Sequence, residues 1–221
     1  MQYVLELLEL GKHASKYCVG MEGNVSAKDG DTLSIKASGT MLSRFDKKDL
    51  VEYDFSGNQL SNFARVGSME LSFHSYLLQI EGINFISHTH PVNTLKILCS
   101  NDRYEFASSR LFPDQVIFNG IESCLVPYRK PGEELKNKIV SSTYNYLTEF
   151  GVFPKLILLE NHGIIACGKT IDECMVITDI CEKSAEVYLG AKALGNVNFL
   201  SENEINQLII DKKELYRKSL I

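Results

Sequence analysis

Two histidines one residue apart, His88 and His90 in ISHTHP, have the spacing best suited to joint chemistry. The surrounding INFISHTHP reads as a strand ended by Pro91. Residues i and i+2 of a strand point to one face, so the two imidazoles would stand side by side and could share one ion. Zinc takes imidazole nitrogen, and a catalytic zinc site uses three protein ligands with one position left open. His162, in LLENHGIIACG, is the candidate third ligand. It falls in a turn between two apolar strands, where Gly163 permits a tight backbone. The alternatives are a polar strand end for His-Thr-His and ordinary turn chemistry for Asn-His-Gly. His13 and His74 fall within helical segments and read as surface or structural residues.

Glu70 follows Ser68, a plausible N-cap, at the start of a helical segment. An acid there complements the helix dipole, and a carboxylate beside a metal could instead take a carbon-bound proton. EGNVS (22–26) and KASGT (36–40) offer glycine-opened backbone N–H groups with small polar side chains, a pattern that suits phosphate. Ser68 adds a third donor cluster. Each of these turns is also common without a ligand. The basic pair Arg129-Lys130 reads as solvated.

The elements that must position these residues alternate in period. Residues 2–18 read as a helix, followed by short strands with Lys-Asp-Gly-Asp as a hairpin turn. LVEYDFSGNQL repeats that strand-and-turn pattern, and residues 68–80 switch to a helical period. VNTLKILCS reads as a short helix, QVIFNG and SCLVPY as strands, and GEELKNKIVSSTYNYLTEFG as an amphipathic helix. KLILLE and GIIACG read as two apolar strands. Thr170 and Glu173 then open a long helix with a capping-box pattern, and a last helix follows Ser201, where SENE is again a capping box. The order predicts one α/β domain over residues 1–221, with a mixed, largely antiparallel sheet covered by helices.

With 221 residues, 44% of them hydrophobic and 23% charged, the chain suits a globular protein. A net charge of −5 without a basic run argues against nucleic acid as a partner. No apolar run approaches a membrane span of about 20 residues. MQYVLELLEL carries Glu6 and Glu9 and does not read as a signal peptide. The six cysteines contain no C-x-x-C and mostly sit in apolar segments, as Cys99 does in LKILCS. They read as reduced core residues of a cytoplasmic protein.

Taken in order, GNVSAK, KASGT, SMELSFH, SHTHP, VPYRKPGEEL and LLENHGIIACGKT span nearly the whole chain. This ordered set resembles the class II aldolase/adducin family, which includes fuculose-1-phosphate and rhamnulose-1-phosphate aldolases and ribulose-5-phosphate 4-epimerase. The resemblance implies an α/β/α sandwich, usually a four-fold ring with sites between subunits. It implies zinc, or another divalent ion, on His88, His90 and His162, with Glu70 as the acid–base residue, able to ligate the resting metal. Tyr128 matches a tyrosine that reaches a neighbouring subunit's site and protonates the aldehyde oxygen, and Tyr216 matches a C-terminal tyrosine loosely. Phosphate maps to Asn24, Ser38, Gly39 and Ser68.

The reaction so implied is cleavage of a ketose 1-phosphate to dihydroxyacetone phosphate and an aldehyde through a metal-stabilised enediolate. Glu70 favours aldolase over epimerase, whose relatives carry Asp there. Epimerisation, decarboxylation or dehydration of a sugar phosphate is the alternative, and a non-catalytic adducin-like domain is a third reading. Two departures stand out: Met21 replaces a threonine and Met69 a serine of the fuculose-phosphate aldolases, so two phosphate donors are missing. A hydrogen bond to a charged acceptor is worth about 1.5–3 kcal/mol, so Lys36 or another group compensates, or the substrate is held differently.

Overall fold

A hairpin sets one half of the sheet. The Lys-Asp-Gly-Asp signal folds as expected: β1 (Asn24–Asp29) and β2 (Thr32–Lys36) pair antiparallel, and Gly30 takes the φ of +58° that the turn requires. β3 (Leu50–Asp54) continues the meander against β2. β4 (Phe85–Thr89) pairs antiparallel with β1 on one side and with β7 (Gly163–Gly168) on the other. β6 (Leu156–Leu159) and β5 (Cys124–Val126) complete the order β3-β2-β1-β4-β7-β6-β5, in which only β5 and β6 run parallel. The structure is a computed structural model and describes residues 3–220. Residue 2 of the expected first helix, and residues 1, 2 and 221 of the expected domain, lie outside them.

Helices cover both faces, as expected for an α/β/α sandwich. α1 (Val4–Ala14), α3 (Val92–Leu98) and α7 (Ile171–Leu194) pack on one face, and α2 (Leu71–Leu78) and α6 (Glu133–Phe150) on the other. α4 (Arg103–Ser108) follows α3, and α5 (Pro113–Asn119) packs on α7. α8 (Glu202–Ile210) and α9 (Lys212–Ser219) pack against α5.

Alternate residues of the central strands divide between two cores. Phe85, Leu158, Ile164 and Ala166 join the core under α1 and α7, while Ile86, Ile157, Ile165 and Cys167 join the core under α2 and α6. Fully burying an Ile or Leu is worth ~1.5–3 kcal/mol, so β4, β7 and β6 form a rigid platform. Period-two alternation places His88 with Ile86, on the α2/α6 face.

Four expectations change. QVIFNG is not a strand but part of α5, which starts with Pro113 at its first turn and buries Val116 and Ile117. A short apolar run has no period that separates a buried strand from a buried helix, and the proline two residues upstream decided it. Ser68 does not cap α2; Glu70 occupies that position. The segment after Ser201 holds two helices, α8 with the expected capping box and then α9. Cys99 is exposed at the end of α3, whereas Cys124, Cys167, Cys174 and Cys181 are buried.

Candidate metal centre

Three imidazoles meet at one end of the sheet. His88 lies on β4 directly opposite Asn24 of β1 and is fully buried. His90 follows one residue beyond β4, its backbone N–H donating to Tyr17 O at 3.2 Å. His162 comes from the turn between β6 and β7, where Asn161 takes a φ of +55°. The ring centroids are 4.9–5.1 Å apart, and one ring nitrogen from each lies within 4.8 Å of the others. Gly163 serves by its lack of a side chain rather than by a special φ. A Cβ there would lie 2.5 Å from Thr89 O and 2.6 Å from His90 Cδ2.

Glu70 closes the cluster. Its Oε2 lies 3.2 Å from His88 Nε2 and accepts from Asn24 Nδ2 at 2.8 Å, while Oε1 lies 3.3 Å from His162 Nε2. Ser68 Oγ accepts from the Glu70 N–H at 3.2 Å and from Asn24 Nδ2 at 3.1 Å. The serine therefore fixes the Glu70 main chain and the Asn24 amide rather than capping the helix.

The hydrogen bonds and the burial of the rings indicate what the cluster suits. His88 Nδ1 donates to Ile164 O at 2.8 Å, so its Nε2 carries a lone pair. That lone pair faces His90 Nε2 at 3.1 Å. Burial holds the His88 pKa well below its ordinary value, reinforced by His90 and His162; burial also lowers His90 and His162. Burial raises the Glu70 pKa, opposed by His162, Asn24 and Lys36. Buried imidazoles aimed at one another, with the buried Glu70 Oε1 lacking a hydrogen-bond donor, are side chains that could hold a divalent cation.

A cleft of about 330 Å³ opens beside the histidines, lined by Asn24, Ser38, Gly39, Ser68, Glu70, His90 and His162. These expected site residues thus come together, with His88 buried behind them. Lys36 joins the two glycine turns, its Nζ donating to Met21 O at 3.2 Å and Thr40 O at 2.6 Å. Met21 and Met69 stand exposed at the rim. Tyr128 is outside this lining and half exposed, and Tyr216 lies exposed on α9. Sequence reasoning missed Glu22, whose Oε2 lies 3.7 Å from His90 Nδ1, and Pro131, which walls the cleft. The sequence signal for Glu22 was its place inside the EGNVS turn.

The family profile described as Class II Aldolase and Adducin N-terminal domain matches residues 6–189. The chain belongs to this family. It is 30% identical over 174 residues to an L-fuculose phosphate aldolase of Methanococcus maripaludis, covering 78% of this chain and 86% of that protein. It is 22% identical over 211 residues to a 3-oxo-tetronate 4-phosphate decarboxylase of Haemophilus influenzae, covering 91% and 93%. The solved structure of an L-fuculose 1-phosphate aldolase superposes with a TM-score of 0.74 at 22% identity, covering 94% of each chain. At that identity the likeness concerns the fold, and this class II aldolase relative has the same α/β architecture.

Proposed function

We propose that the chain is a zinc-dependent aldolase that cleaves a ketose 1-phosphate to dihydroxyacetone phosphate and an aldehyde, acting as one domain over residues 1–221. The observation that carries the reading is the Glu70 carboxylate, held by Asn24, which is itself bonded to Ser68, beside the His88 and His162 nitrogens at the cleft. His88, His90 and His162 would hold the metal. When bound, it supplies Lewis-acid neutralisation of negative charge on the substrate's carbonyl and hydroxyl oxygens.

The residues then divide the work. Glu70 holds and returns the proton at the carbon that becomes part of dihydroxyacetone phosphate. Asn24, Ser38, Gly39 and Ser68 face the phosphate, and Lys36 adds a buried positive charge that offsets the hydroxyls absent at Met21 and Met69. Tyr128 serves the aldehyde end of a neighbouring subunit's site, in a homotetramer; its exposure outside its own cleft supports this. Among the described residues no helix is long and apolar enough to cross a membrane, and four buried thiols suit a reducing, cytoplasmic setting.

The test is proton exchange on dihydroxyacetone phosphate. Glu70→Ala is expected to retain bound metal and to lose exchange by about 10²–10⁴-fold, the range of general acid–base catalysis. Exchange at the native rate would remove Glu70 from the mechanism. The likeness to the decarboxylase favours a second reading, loss of CO₂ from a 3-oxo acid phosphate. Product analysis across ketose 1-phosphates and acid sugar phosphates separates the two.

A further inference from the structure

The turn that delivers His162 is also tied to the loop of residues 127–132, which carries Tyr128 and places Pro131 against the cleft. The tie is Glu160, two residues before His162. Its Oε2 accepts the Tyr128 N–H at 2.9 Å, and its Oε1 meets Arg103 Nε at 2.6 Å. Its own backbone N–H donates to Val126 O at 3.0 Å, so main chain and side chain grip the same approach to the loop. The Glu160 and Arg103 side chains are only 17% and 16% exposed. Arg103 is fixed in turn: its guanidinium sits 4.5 Å from the Tyr104 ring centroid and also donates to Ser100 O.

We propose that Glu160 is a positioning residue that clamps the Tyr128 loop to the His162 turn, so that the Tyr128 hydroxyl is presented to the neighbouring subunit's site from a fixed base. Pro127 and Pro131 have no N–H to give, so the loop has few backbone donors, and that of Tyr128 is spent on Glu160. A charged acceptor makes this bond stronger than an amide–carbonyl one. The arginine lies against the carboxylate as an ion pair and offsets its charge at this little-exposed position. The role assigned to Tyr128 rests on the aldolase reading above; the clamp itself does not.

The experiment compares Glu160→Ala and Glu160→Gln with the unaltered full-length protein in three measurements. Amide hydrogen exchange over residues 127–132 should accelerate about tenfold or more in Glu160→Ala, with β6 and β7 unchanged. Metal content should stay the same in both variants. Cleavage of L-fuculose 1-phosphate, as the probe ketose 1-phosphate, should lose about tenfold in kcat with KM within twofold. Glu160→Gln keeps an oxygen for the Tyr128 N–H and should recover most of both the exchange protection and kcat. Unchanged exchange in Glu160→Ala overturns the clamp, as does metal loss in that variant, which would place Glu160's effect on the His162 turn. If the unaltered protein cleaves no ketose 1-phosphate, the aldolase reading fails, while exchange and metal content still decide the clamp.

Discussion

His74 and His88 are both fully buried on the same side of the sheet, separated by Phe73, which stacks on one ring and meets the other edge-on. Each has one nitrogen engaged: His74 Nδ1 with Ser26 Oγ at 2.6 Å, and His88 Nδ1 with Ile164 O at 2.8 Å. Their remaining nitrogens differ in company. His74 Nε2 has no hydrogen-bond partner, and its pKa falls through burial alone. His88 Nε2 faces His90 and Glu70 and lies behind a cleft. Depth alone does not make a candidate ligand; convergence of ring nitrogens beside an opening does.

Replacing the two residues should therefore break different things. His88→Ala should lose metal almost entirely, and turnover should fall by at least about a hundredfold, because even the outer partners of metal ligands are worth 10–100-fold. His74→Ala should keep metal affinity within a few-fold while losing about 2–4 kcal/mol of stability, from a cavity and an orphaned Ser26 hydroxyl. Metal content after dialysis and urea midpoints measure the two effects. If His74→Ala also strips the metal, the contrast fails.

The contrast was only partly legible in the sequence. Spacing put His88 and His90 on one face, and they do converge, although His90 lies just past the strand. His162 could be singled out only by its turn, because no local pattern reports that β7 pairs with β4 and brings residue 162 beside residue 88. Such pairing is set by burial of Ile164, Ile165 and Ala166 over long sequence separations. QVIFNG misled because Val and Ile favour strands only where sheet neighbours exist to pack them, and here α7 packs them instead. Ser68 looked like a cap from its place at the start of a helical period; its hydroxyl does accept a backbone N–H, that of Glu70, yet the helix begins after Glu70. Glu160 carried no signal beyond its place before Asn-His-Gly.

A finer test uses two glycines. Gly163→Ala would put a methyl group against Thr89 O and His90, so His90 must move. Metal affinity should fall roughly 10–100-fold, as for loss of a ligand's support. Stability should fall by about 1–3 kcal/mol, as for overpacking. Gly190→Ala, on the exposed side of α7 with open space around it, should instead add about 0.4–1 kcal/mol and leave metal affinity unchanged. Chelator competition on both variants separates ligand displacement from general backbone effects.

The smallest effect concerns acid. Burial holds His74 neutral in the fold, with its pKa down to about 3 against 6.5 in the unfolded chain. Below pH 6.5 the unfolded state therefore binds a proton that the folded state refuses. The stabilising contribution is fully present above that pH and is lost as pH falls toward 3, by ~1.4 kcal/mol per pH unit. The cluster histidines add slopes of their own, so the measurement is a difference. Urea unfolding of the unaltered protein and of His74→Gln, both with chelator, is compared from pH 7 to pH 5. Glutamine can still meet Ser26 but does not titrate, so the variant should lose less stability on acidification, by about 2 kcal/mol at pH 5. A pH-independent difference between the two would mean that His74 takes up its proton within the fold, and the contrast with His88 would then lose its electrostatic basis.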